Sequence, residues 1–439
     1  ALASGFPVAF ALPGSAILTI GLAALSGYIF EGNVKEYFAH DGPIEWLTAG
    51  ITNFRGVYWD VESDTLIAIP LFIFMGIMLQ KSKIAEDLLV TMGQLFGPLP
   101  GGLGISVIFV GALLAATTGI VGATVIAMGL ISLPAMLNNK YDKQLASGIV
   151  CSSGTLGQII PPSIVLILLA SVMNEPVGDL FKAALLPGLL LVGFYIIYII
   201  FKSNFDSSSA PPVDKDTIQA FWKDKQVGLN IIKSFLFPFA LIFLVLGSII
   251  AGFATPTEAA GVGAIGAILL SAGMKKVNFK VLREVSVETM KLTSMIFFIL
   301  LGATCFSFVF RGLGGDEFLV SSIQSADLSS IQFLLIVMLI MFISGFFIDF
   351  IEIIFILVPI VTPIFIQYDI NLIWVGILIA LNLQTSFLTP PFGFALFYLK
   401  GVAPESVQTQ SIYKGIVPFV AIQILFILLL LFFPNLIGF

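Results

Sequence analysis

Two motifs of the same kind contain the residues of this chain whose types and spacing best suit binding chemistry. One runs from Gly154 to Ser163 and the other from Gln384 to Gly393, and each places small polar residues before a proline pair within apolar sequence. Proline ends a helix and leaves main-chain carbonyls and amides that hydrocarbon cannot satisfy. Paired breaks of this kind predict discontinuous helices that form a binding site at the bilayer midplane, as in membrane carriers.

The composition indicates which elements must hold these motifs. Of 439 residues, 58% are hydrophobic and 10% are charged, which is typical of a multi-pass membrane protein and excludes a soluble globular domain. A membrane-spanning helix needs about 20 mostly apolar residues. Runs of this character lie at Phe6 to Phe30, Leu66 to Leu79, Ala183 to Phe201, Phe235 to Phe253 and Ile416 to Phe433. We therefore predict an all-α polytopic fold.

Few residues of this chain suit zinc binding, histidine-based catalysis or nucleic-acid binding. His40 is the single histidine and Cys151 and Cys305 are the two cysteines, so zinc sites and histidine-containing triads lack partners. The formal net charge of -6 and the lack of a basic tract argue against nucleic acid as a partner. No signal peptide is evident at Ala1, and we expect a few residues to precede it.

A long apolar stretch, Ile105 to Leu137, precedes the first motif and is interrupted by Thr117-Thr118-Gly119 and again at Gly122. A break in the middle of so long a run favours a re-entrant hairpin whose tip lines a cavity or holds an ion. Close packing of helices through small residues explains the same pattern equally well.

The two halves of the chain have prolines at matching spacings. Pro134 precedes Pro161 by the same number of residues as Pro363 precedes Pro390. This agreement predicts two pseudo-repeated halves, which we expect to be inverted, each with a re-entrant hairpin and a discontinuous helix.

The predicted organisation follows this repeat. It comprises a scaffold helix and interfacial arm at 1–63, a first repeat at 64–202, a polar linker at 203–233, scaffold helices at 234–287 and a second repeat at 288–439. Hairpins and broken helices are expected at 105–137 and 144–174, and again at 331–366 and 370–400. For the arm, with Trp46 among its charges, an interfacial stretch and an extramembrane loop fit equally. The basic connections at 202–233 and 275–291 are predicted to be cytoplasmic.

Oxygen atoms at the breaks are the predicted ligands. Main-chain carbonyls freed by a helix break, helped by hydroxyl and amide side chains, are the oxygens most available to a desolvated cation in a membrane. Thr117 to Gly122 with Ser152 to Gly157 would supply one cluster, and Ser344 to Asp349 with Asn382 to Thr389 would supply the other. Helix amino ends at the same breaks favour an anion beside the cation.

Asp349 is the most informative charged residue, because it lies in an apolar segment without a basic neighbour and an unpaired carboxylate is costly in lipid. Its predicted role is charge compensation for a bound cation, and the alternative is a position where the segment leaves the lipid. Glu352 either shares that role or faces outward. Glu258 fits a helix start after Thr255, and Arg311 fits an interfacial anchor.

Four motifs together carry a resemblance to a known family: Gly154 to Ser163, Ala254 to Ala260, Phe6 to Phe10 and Thr389 to Gly393. They span nearly the whole chain, and the chain resembles the large membrane subunit of tripartite ATP-independent periplasmic (TRAP) transporters. This resemblance implies a sodium-coupled, elevator-type importer of a small organic acid in the bacterial inner membrane. It also implies two partners, a small (Q-type) membrane subunit and a periplasmic (P-type) substrate-binding protein.

The resemblance also implies binding residues at the same clusters. Two Na⁺ sites are expected at Thr117, Thr118, Gly119, Gly122, Ser153, Gly154, Thr155, Gly157, Ser344, Gly345, Asp349, Asn382, Thr385 and Thr389. Thr155, Asn382 and Thr385 are also expected to contact the substrate. The first tip is usually serine-rich in this family, and Thr117-Thr118 keeps the hydroxyl groups.

We therefore expect a carrier and not an enzyme, working by alternating access on a sodium gradient within the lipid bilayer. One alternative is a related organic-anion carrier that needs no binding protein. A second is an intramembrane enzyme that uses Asp349 and Glu352 as paired acids.

Overall fold

The computed structural model describes residues 8–26, 64–119, 121–223, 227–312 and 328–437, together with residues 315, 318 and 321. Every regular element in these ranges is helical. The arm predicted within residues 1–63 lies outside them, apart from the first helix. In chain order the helices are α1 (Val8–Ser26), α2 (Asp64–Lys81), α3 (Ile84–Phe96), α4 (Gly102–Thr118), α5 (Val121–Asn138), α6 (Lys143–Thr155), α7 (Ile164–Met173), α8 (Val177–Phe205), α9 (Lys215–Lys223), α10 (Val227–Ile231), α11 (Phe237–Ile250), α12 (Pro256–Gly273), α13 (Phe279–Gly312), α14 (Ser330–Ser344), α15 (Phe350–Gln367), α16 (Leu372–Leu388), α17 (Phe394–Val402) and α18 (Thr409–Phe432).

Three short helical turns complete the described elements. A 3₁₀ turn, Leu156–Gln158, follows α6, and a π-helical turn, Ile232–Leu236, joins α10 to α11. A second 3₁₀ turn, Pro434–Ile437, follows α18.

Seven helices in the described part of the chain are long and apolar enough to cross a membrane, and the total is eight if the bent pair α2 and α3 forms one span. The seven are α5, α8, α11 with its preceding π-helical turn, α12, α13, α15 and α18. Their length matches the about 20 residues that a hydrocarbon core requires. The prediction of an all-α polytopic membrane protein is confirmed.

Each half of the chain contains a helical hairpin followed by a broken helix. In the first half, α4 and α5 form the hairpin and α6 and α7 the broken helix; in the second half, α14 and α15 precede α16 and α17 in the same order. Both proline pairs lie between the two parts of a broken helix. The second half was expected to begin at residue 288, but this position lies inside the continuous helix α13, so no helix end marks that boundary.

The two halves interlock through their hairpins. Helix α5 packs against α17 of the other half, and α15 packs reciprocally against α7. Helix α16 contacts α6, α7 and the 3₁₀ turn between them. Eight of the ten residues of α7 and all residues of α16 from Val375 to Leu388 are buried within the protein. The first break therefore lies inside the molecule, where Leu156 and Gln158 are fully buried, whereas the second proline pair reaches the surface at Pro391 and Phe392.

The remaining long helices pack around this centre. Helix α12 packs along α2, α1 packs along α13, and α11 packs against α12. Helix α13 also contacts α15, which connects this outer group to the second hairpin.

Residues 206–213, here called the strap, connect α8 to the segment before α9 and lie across both ends of the first hairpin. The Gly101 amide donates to the Ala210 carbonyl (2.9 Å), and the Asp142 amide donates to the Ser209 carbonyl (2.9 Å). The Val213 amide donates to the Gly97 carbonyl (2.9 Å). Ala210 is fully buried. The first part of the predicted polar linker is therefore a packed element of the first half.

Candidate functional site

The first break begins where α6 ends at Thr155. The 3₁₀ turn follows, and after Pro161-Pro162 the Ser163 hydroxyl caps α7 by accepting from the Leu166 amide (3.4 Å) and donates to the Gln158 carbonyl (2.8 Å). This agrees with the prediction that the proline pair interrupts a helix. The whole turn from Thr155 to Gln158 is buried, so its main chain faces protein and not lipid.

Hydroxyl groups line the last turns of α6. The Ser152, Ser153 and Thr155 hydroxyls donate to main-chain carbonyls three residues earlier, at 3.1, 3.0 and 3.0 Å respectively. A hydroxyl that donates its proton in this way still offers oxygen lone pairs to a cation. The Ser152 and Ser153 carbonyls accept from the Thr155 hydroxyl and the Leu156 amide, respectively, and each carbonyl oxygen has a second lone pair. This end of α6 can therefore offer further oxygen lone pairs to a cation.

The second break starts later than the sequence suggested. Carbonyls were expected to be free from Asn382 to Thr389, but α16 continues to Leu388, and the break covers residues 389–393. The Thr385 hydroxyl donates to the Leu381 carbonyl (2.7 Å), and the Thr389 hydroxyl donates to the Thr385 carbonyl (2.8 Å). Threonine hydroxyls that bond to their own helix are compatible with helical geometry, which is why these residues do not end α16.

Asn382 connects the second broken helix to its hairpin. Its Nδ2 donates to the Met338 carbonyl of α14 at 2.8 Å, and its side chain is 6% exposed. The amide oxygen of Asn382 remains available as an acceptor. Asn382 therefore holds α14 and α16 together beside the cluster that the sequence predicted.

The end of α6 at the first break contacts α16 shortly before the second break. The Gln384 side-chain Nε2 in α16 donates to the Thr155 Oγ1 at the end of α6, at 3.4 Å. Thr155, Gln384 and the nearby Gln158 are all buried. The Gln384 Oε1 and both amide atoms of Gln158 are buried in the described structure without a hydrogen-bond partner. Since such groups are costly when unsatisfied, they are candidates for contact with a bound polar ligand.

The first hairpin closes tightly on this centre. A Cβ atom on Gly157 would lie 2.0 Å from the Ala115 carbonyl oxygen of α4, and one on Gly154 would lie 2.5 Å from Val125 of α5. At the tip, Gly119 adopts φ +62° and its amide donates to the Ala115 carbonyl (2.9 Å). The predicted ligands Thr117 and Thr118 end α4, and their side chains lie outside the described residues.

Ser153, Gly154 and Gly157 thus lie against the first hairpin, in agreement with the predicted cluster. A Cβ on Gly111 of α4 would lie 2.5 Å from Ser153. Gly122 lies elsewhere, because a Cβ on it would meet the ring of Tyr398 in α17 at 2.9 Å.

The tip of the second hairpin combines predicted ligands with a helix cap. The Ser344 carbonyl accepts from the Phe347 amide (2.9 Å) and the Ile348 amide (3.0 Å), which turns the chain back toward α15. A Cβ on Gly345 would lie 2.1 Å from the Ser386 hydroxyl of α16. The second tip therefore rests on its own broken helix.

Asp349 and Glu352 form a capping box at the start of α15. Asp349 Oδ1 accepts from the Phe350 amide (2.7 Å), and Glu352 Oε2 accepts from the Asp349 amide (3.4 Å). Both residues are half-buried. A carboxylate at a helix N-terminus is favoured by the helix dipole, so these acids have a structural role. In addition to this structural role, charge compensation for a bound cation by Asp349 remains a prediction.

Tyr398 is a site residue that sequence reasoning missed. Its ring contacts Gly122 near the first tip, and its hydroxyl lies within electrostatic range of Asp349 at the second tip. The side chain is 39% exposed. No local pattern in the sequence marks this tyrosine, whereas Gln158 and Gln384 stand inside the two motifs and could have been included.

The donors assembled here suit an alkali cation. Within the described ranges, no group of three or more histidine, cysteine, aspartate or glutamate side chains could hold a metal ion. The hydroxyl, amide and carbonyl oxygens at the two breaks are instead the ligand types that replace a hydration shell in membrane proteins.

Of the two charged residues given minor roles, Glu258 forms a capping box with Thr255, as predicted. The Arg311 side chain lies outside the described residues.

A buried helix break that contacts a second broken helix inside a multi-pass helical protein is typical of a secondary transporter. Residues 1–436 match the family model of the Tripartite ATP-independent periplasmic transporter, DctM component, and the chain belongs to this family. The resemblance identified from the sequence is confirmed.

Relatives and a solved structure extend this comparison. The chain is 31% identical over 391 residues to the C4-dicarboxylate TRAP transporter large permease protein DctM of Vibrio cholerae, covering 84% of each chain. It is 28% identical over 403 residues to the sialic acid TRAP transporter permease protein SiaT of Haemophilus influenzae, covering 90% of this chain and 62% of that protein. Its fold is similar to the crystal structure of the Alcanivorax borkumensis YdaH transporter, with a TM-score of 0.62 and 14% identity over 89% of this chain and 88% of that one.

Proposed function

We propose that this chain is the transporting subunit of a sodium-coupled importer of a small organic acid, a carboxylate or a sulfonate. It acts in the bacterial inner membrane with two partners, a small membrane subunit and a periplasmic protein that delivers the substrate. Family membership supports both partners, since the family is named for a tripartite assembly. An intramembrane enzyme built on Asp349 and Glu352 is set aside, because this is a family of transporters and both acids cap a helix.

One observation carries the proposal: the contact between Gln384 and Thr155 joins the two broken helices inside the protein. A carrier needs a site that both faces of the membrane can reach in turn, and a site at the junction of two repeats satisfies this need. In an elevator mechanism the two hairpins and broken helices would move together against the outer helices. The interlocked packing of α5 on α17 and of α15 on α7 supports their movement as one body.

The names of relatives support the substrate class. Similar proteins are named for C4-dicarboxylates, isethionate, sialic acid and ectoine. Each of these names denotes a small molecule with at least one carboxylate or sulfonate group. Helix amino ends at the breaks favour such an anion, and we assign its contacts to Thr155, Asn382 and Thr385.

Two Na⁺ ions would neutralise the substrate charge. One would lie at the first break, near Ser153, Gly154, Thr155 and Gly157, which pack closely against the first hairpin. The other would lie between Ser344 to Asp349 and the end of α16, where Gly345 rests on Ser386. In both places hydroxyl oxygens adjoin main chain at a helix end, as an alkali cation requires.

Uptake into proteoliposomes tests the proposal. The purified chain would be reconstituted with and without its small membrane subunit and its periplasmic protein, and radiolabelled succinate, isethionate, sialic acid and ectoine would be supplied. We expect uptake of at least one acid only when all three proteins and an inward Na⁺ gradient are present. Uptake by the chain alone would support the carrier that needs no binding protein, and uptake without Na⁺ would contradict coupling.

A variant of the first break sharpens the sodium assignment. Thr155→Ala removes a buried hydroxyl that both accepts from Gln384 and faces the proposed ion, so the Na⁺ concentration for half-maximal uptake should rise about fivefold or more. Thr362→Ala is the matched control, because this buried threonine donates to a carbonyl of its own helix α15 (2.7 Å) away from the breaks. Equal sodium dependence in both variants would remove Thr155 from the site.

A further inference from the structure

A groove of about 500 Å³ lies between the end of α2 and the start of α13, well separated in sequence from both breaks. Four basic and two acidic side chains line it: Lys81, Lys280, Arg283, Lys291, Glu284 and Glu288. Lys81 Nζ lies 2.9 Å from Glu288 Oε2, so one positive charge is already paired. The groove as a whole carries a net positive charge, and it is open to a ligand of the opposite sign.

The lining residues of α13 occupy one face of the helix. Lys280, Glu284, Val287 and Lys291 follow each other at intervals of three or four residues, which places them in a row along the axis. The same row continues into exposed apolar side chains at Met295 (44% exposed) and Phe298 (43% exposed). A basic surface therefore passes directly into an apolar one along a single helix face.

The length of α13 explains this change of character. The helix has 34 residues and is about 50 Å long, whereas the hydrocarbon core is about 30 Å thick. Its charged first turns must extend beyond the hydrocarbon to the level of the lipid headgroups. The positive-inside rule predicts that this basic end faces the cytoplasm, where the membrane surface is negative.

A neighbouring contact holds the groove in place. Lys276, just before α13, donates to the Lys83 carbonyl (3.2 Å) and pairs with Asp87 of α3. Together with the pair of Lys81 and Glu288, it fixes the start of α13 to the junction of α2 and α3. The arginine and lysine side chains therefore have a defined framework on which a bound group can rest.

We propose that this groove binds the phosphate group of an anionic phospholipid, with the acyl chains along Met295 and Phe298. Arginine and lysine recognise phosphate by charge-assisted hydrogen bonds, and basic pockets between membrane helices bind acidic lipid headgroups. The groove is the size of a headgroup, and the adjoining apolar row distinguishes a lipid from a soluble phosphate. The lipid would connect α2 to α13 at the edge of the outer helices.

Native mass spectrometry of the purified chain tests this site. The chain would be titrated with dioleoylphosphatidylglycerol, with dioleoylphosphatidylcholine and with inorganic phosphate. We expect a one-to-one adduct with phosphatidylglycerol that forms at lower concentration than the phosphatidylcholine adduct and that inorganic phosphate does not displace. Equal binding of the two lipids would overturn the proposal, and displacement by inorganic phosphate would assign the groove to a soluble anion instead.

Two sets of variants locate the adduct. Lys280→Gln with Arg283→Gln should weaken phosphatidylglycerol binding roughly 30-fold, since each basic group near an acidic lipid contributes about one fivefold step. Lys291→Gln alone should weaken it about fivefold, and it tests the other end of the groove. The control combines Lys223→Gln with Lys414→Gln, which removes two exposed charges outside the groove. If the control variant bound phosphatidylglycerol as weakly as the groove variants, only the total charge would matter and the site would be refuted.

Discussion

The two hairpins are built on one plan but differ in their surroundings. In the first, Val107, Ile108 and Val110 of α4 are fully buried within the chain. In the second, Leu339 and Ile340 of α14 are about half exposed. Helix α4 is therefore enclosed by other helices, whereas α14 leaves one apolar face at the surface of the chain.

The two tips differ in charge as well. Residues 115–123 at the first tip include no charged residue, while the second tip carries Asp349 and Glu352 within hydrogen-bonding distance of main-chain amides. The comparison shows how repeats can diverge in chemistry while keeping their backbone. The first tip is uncharged, and the second carries two half-buried carboxylates.

The sharpest contrast concerns the glycine at the contact between each hairpin and a broken helix. Gly157→Ala would place a methyl group 2.0 Å from the Ala115 carbonyl oxygen, a backbone atom that cannot move aside. We expect a loss of about 3 kcal/mol or more in stability and little transport. Gly345→Ala meets the Ser386 Oγ at 2.1 Å and the Ser386 Cβ at 2.9 Å, which are side-chain atoms that can shift further than backbone, and it should cost less, about 1–2 kcal/mol.

Thermal unfolding in detergent measures this difference. Gly247→Ala is the control, because nothing lies within 4 Å of a Cβ at that position, and its unfolding midpoint should stay close to that of the parent chain. Similar decreases in the unfolding midpoint for Gly157→Ala and Gly345→Ala would mean that both hairpins tolerate an added methyl group equally, which would contradict the expected difference.

Asp349 offers a way to separate charge from capping at the second tip. Asparagine caps a helix as well as aspartate does, so Asp349→Asn should keep the unfolding midpoint while the Na⁺ concentration for half-maximal uptake rises several-fold. Asp349→Ala removes both functions and should also cost about 1 kcal/mol in stability. If Asp349→Asn has normal sodium dependence, the carboxylate serves the helix alone.

Tyr398 should give the smallest effect, and it tests the connection between the two tips. Tyr398→Phe keeps the ring against Gly122 but removes the hydroxyl that lies within electrostatic range of Asp349, so we expect a two- to threefold lower uptake rate at unchanged stability. Tyr413→Phe is a suitable control, since that hydroxyl donates to the Pro391 carbonyl at the second break without contacting a hairpin tip. A larger loss in the control would assign the effect to the break and not to the tips.

Local chemistry made much of this fold predictable. The proline pairs marked both helix breaks, because two successive prolines remove two amide donors and the first of them is disfavoured in the helical conformation. Single prolines such as Pro134 and Pro363 remain inside α5 and α15. Glu258 was recognised as part of a helix start after Thr255. Asp349 and Glu352 show the same spacing, yet their apolar surroundings drew attention to ion binding, and the capping box was overlooked.

Contacts between distant segments could not be predicted from one sequence. The bond from Gln384 to Thr155 joins residues 229 positions apart, and nothing local in either motif specifies it. The contact of Tyr398 with Gly122 depends in the same way on how α17 meets α5. The later start of the second break was missed because threonine and serine tolerate a helix when their hydroxyls bond to its carbonyls.

The strap has a practical consequence for anyone who wishes to cut or label this protein. A serine- and proline-rich connection between two halves is the usual choice for a protease site, a fluorescent insertion or a split-gene junction. Here the Ser209 and Ala210 carbonyls are occupied by amides from both ends of the first hairpin, and Ala210 is fully buried. An insertion between residues 206 and 213 would therefore dislodge the first hairpin from outside, far from any substrate.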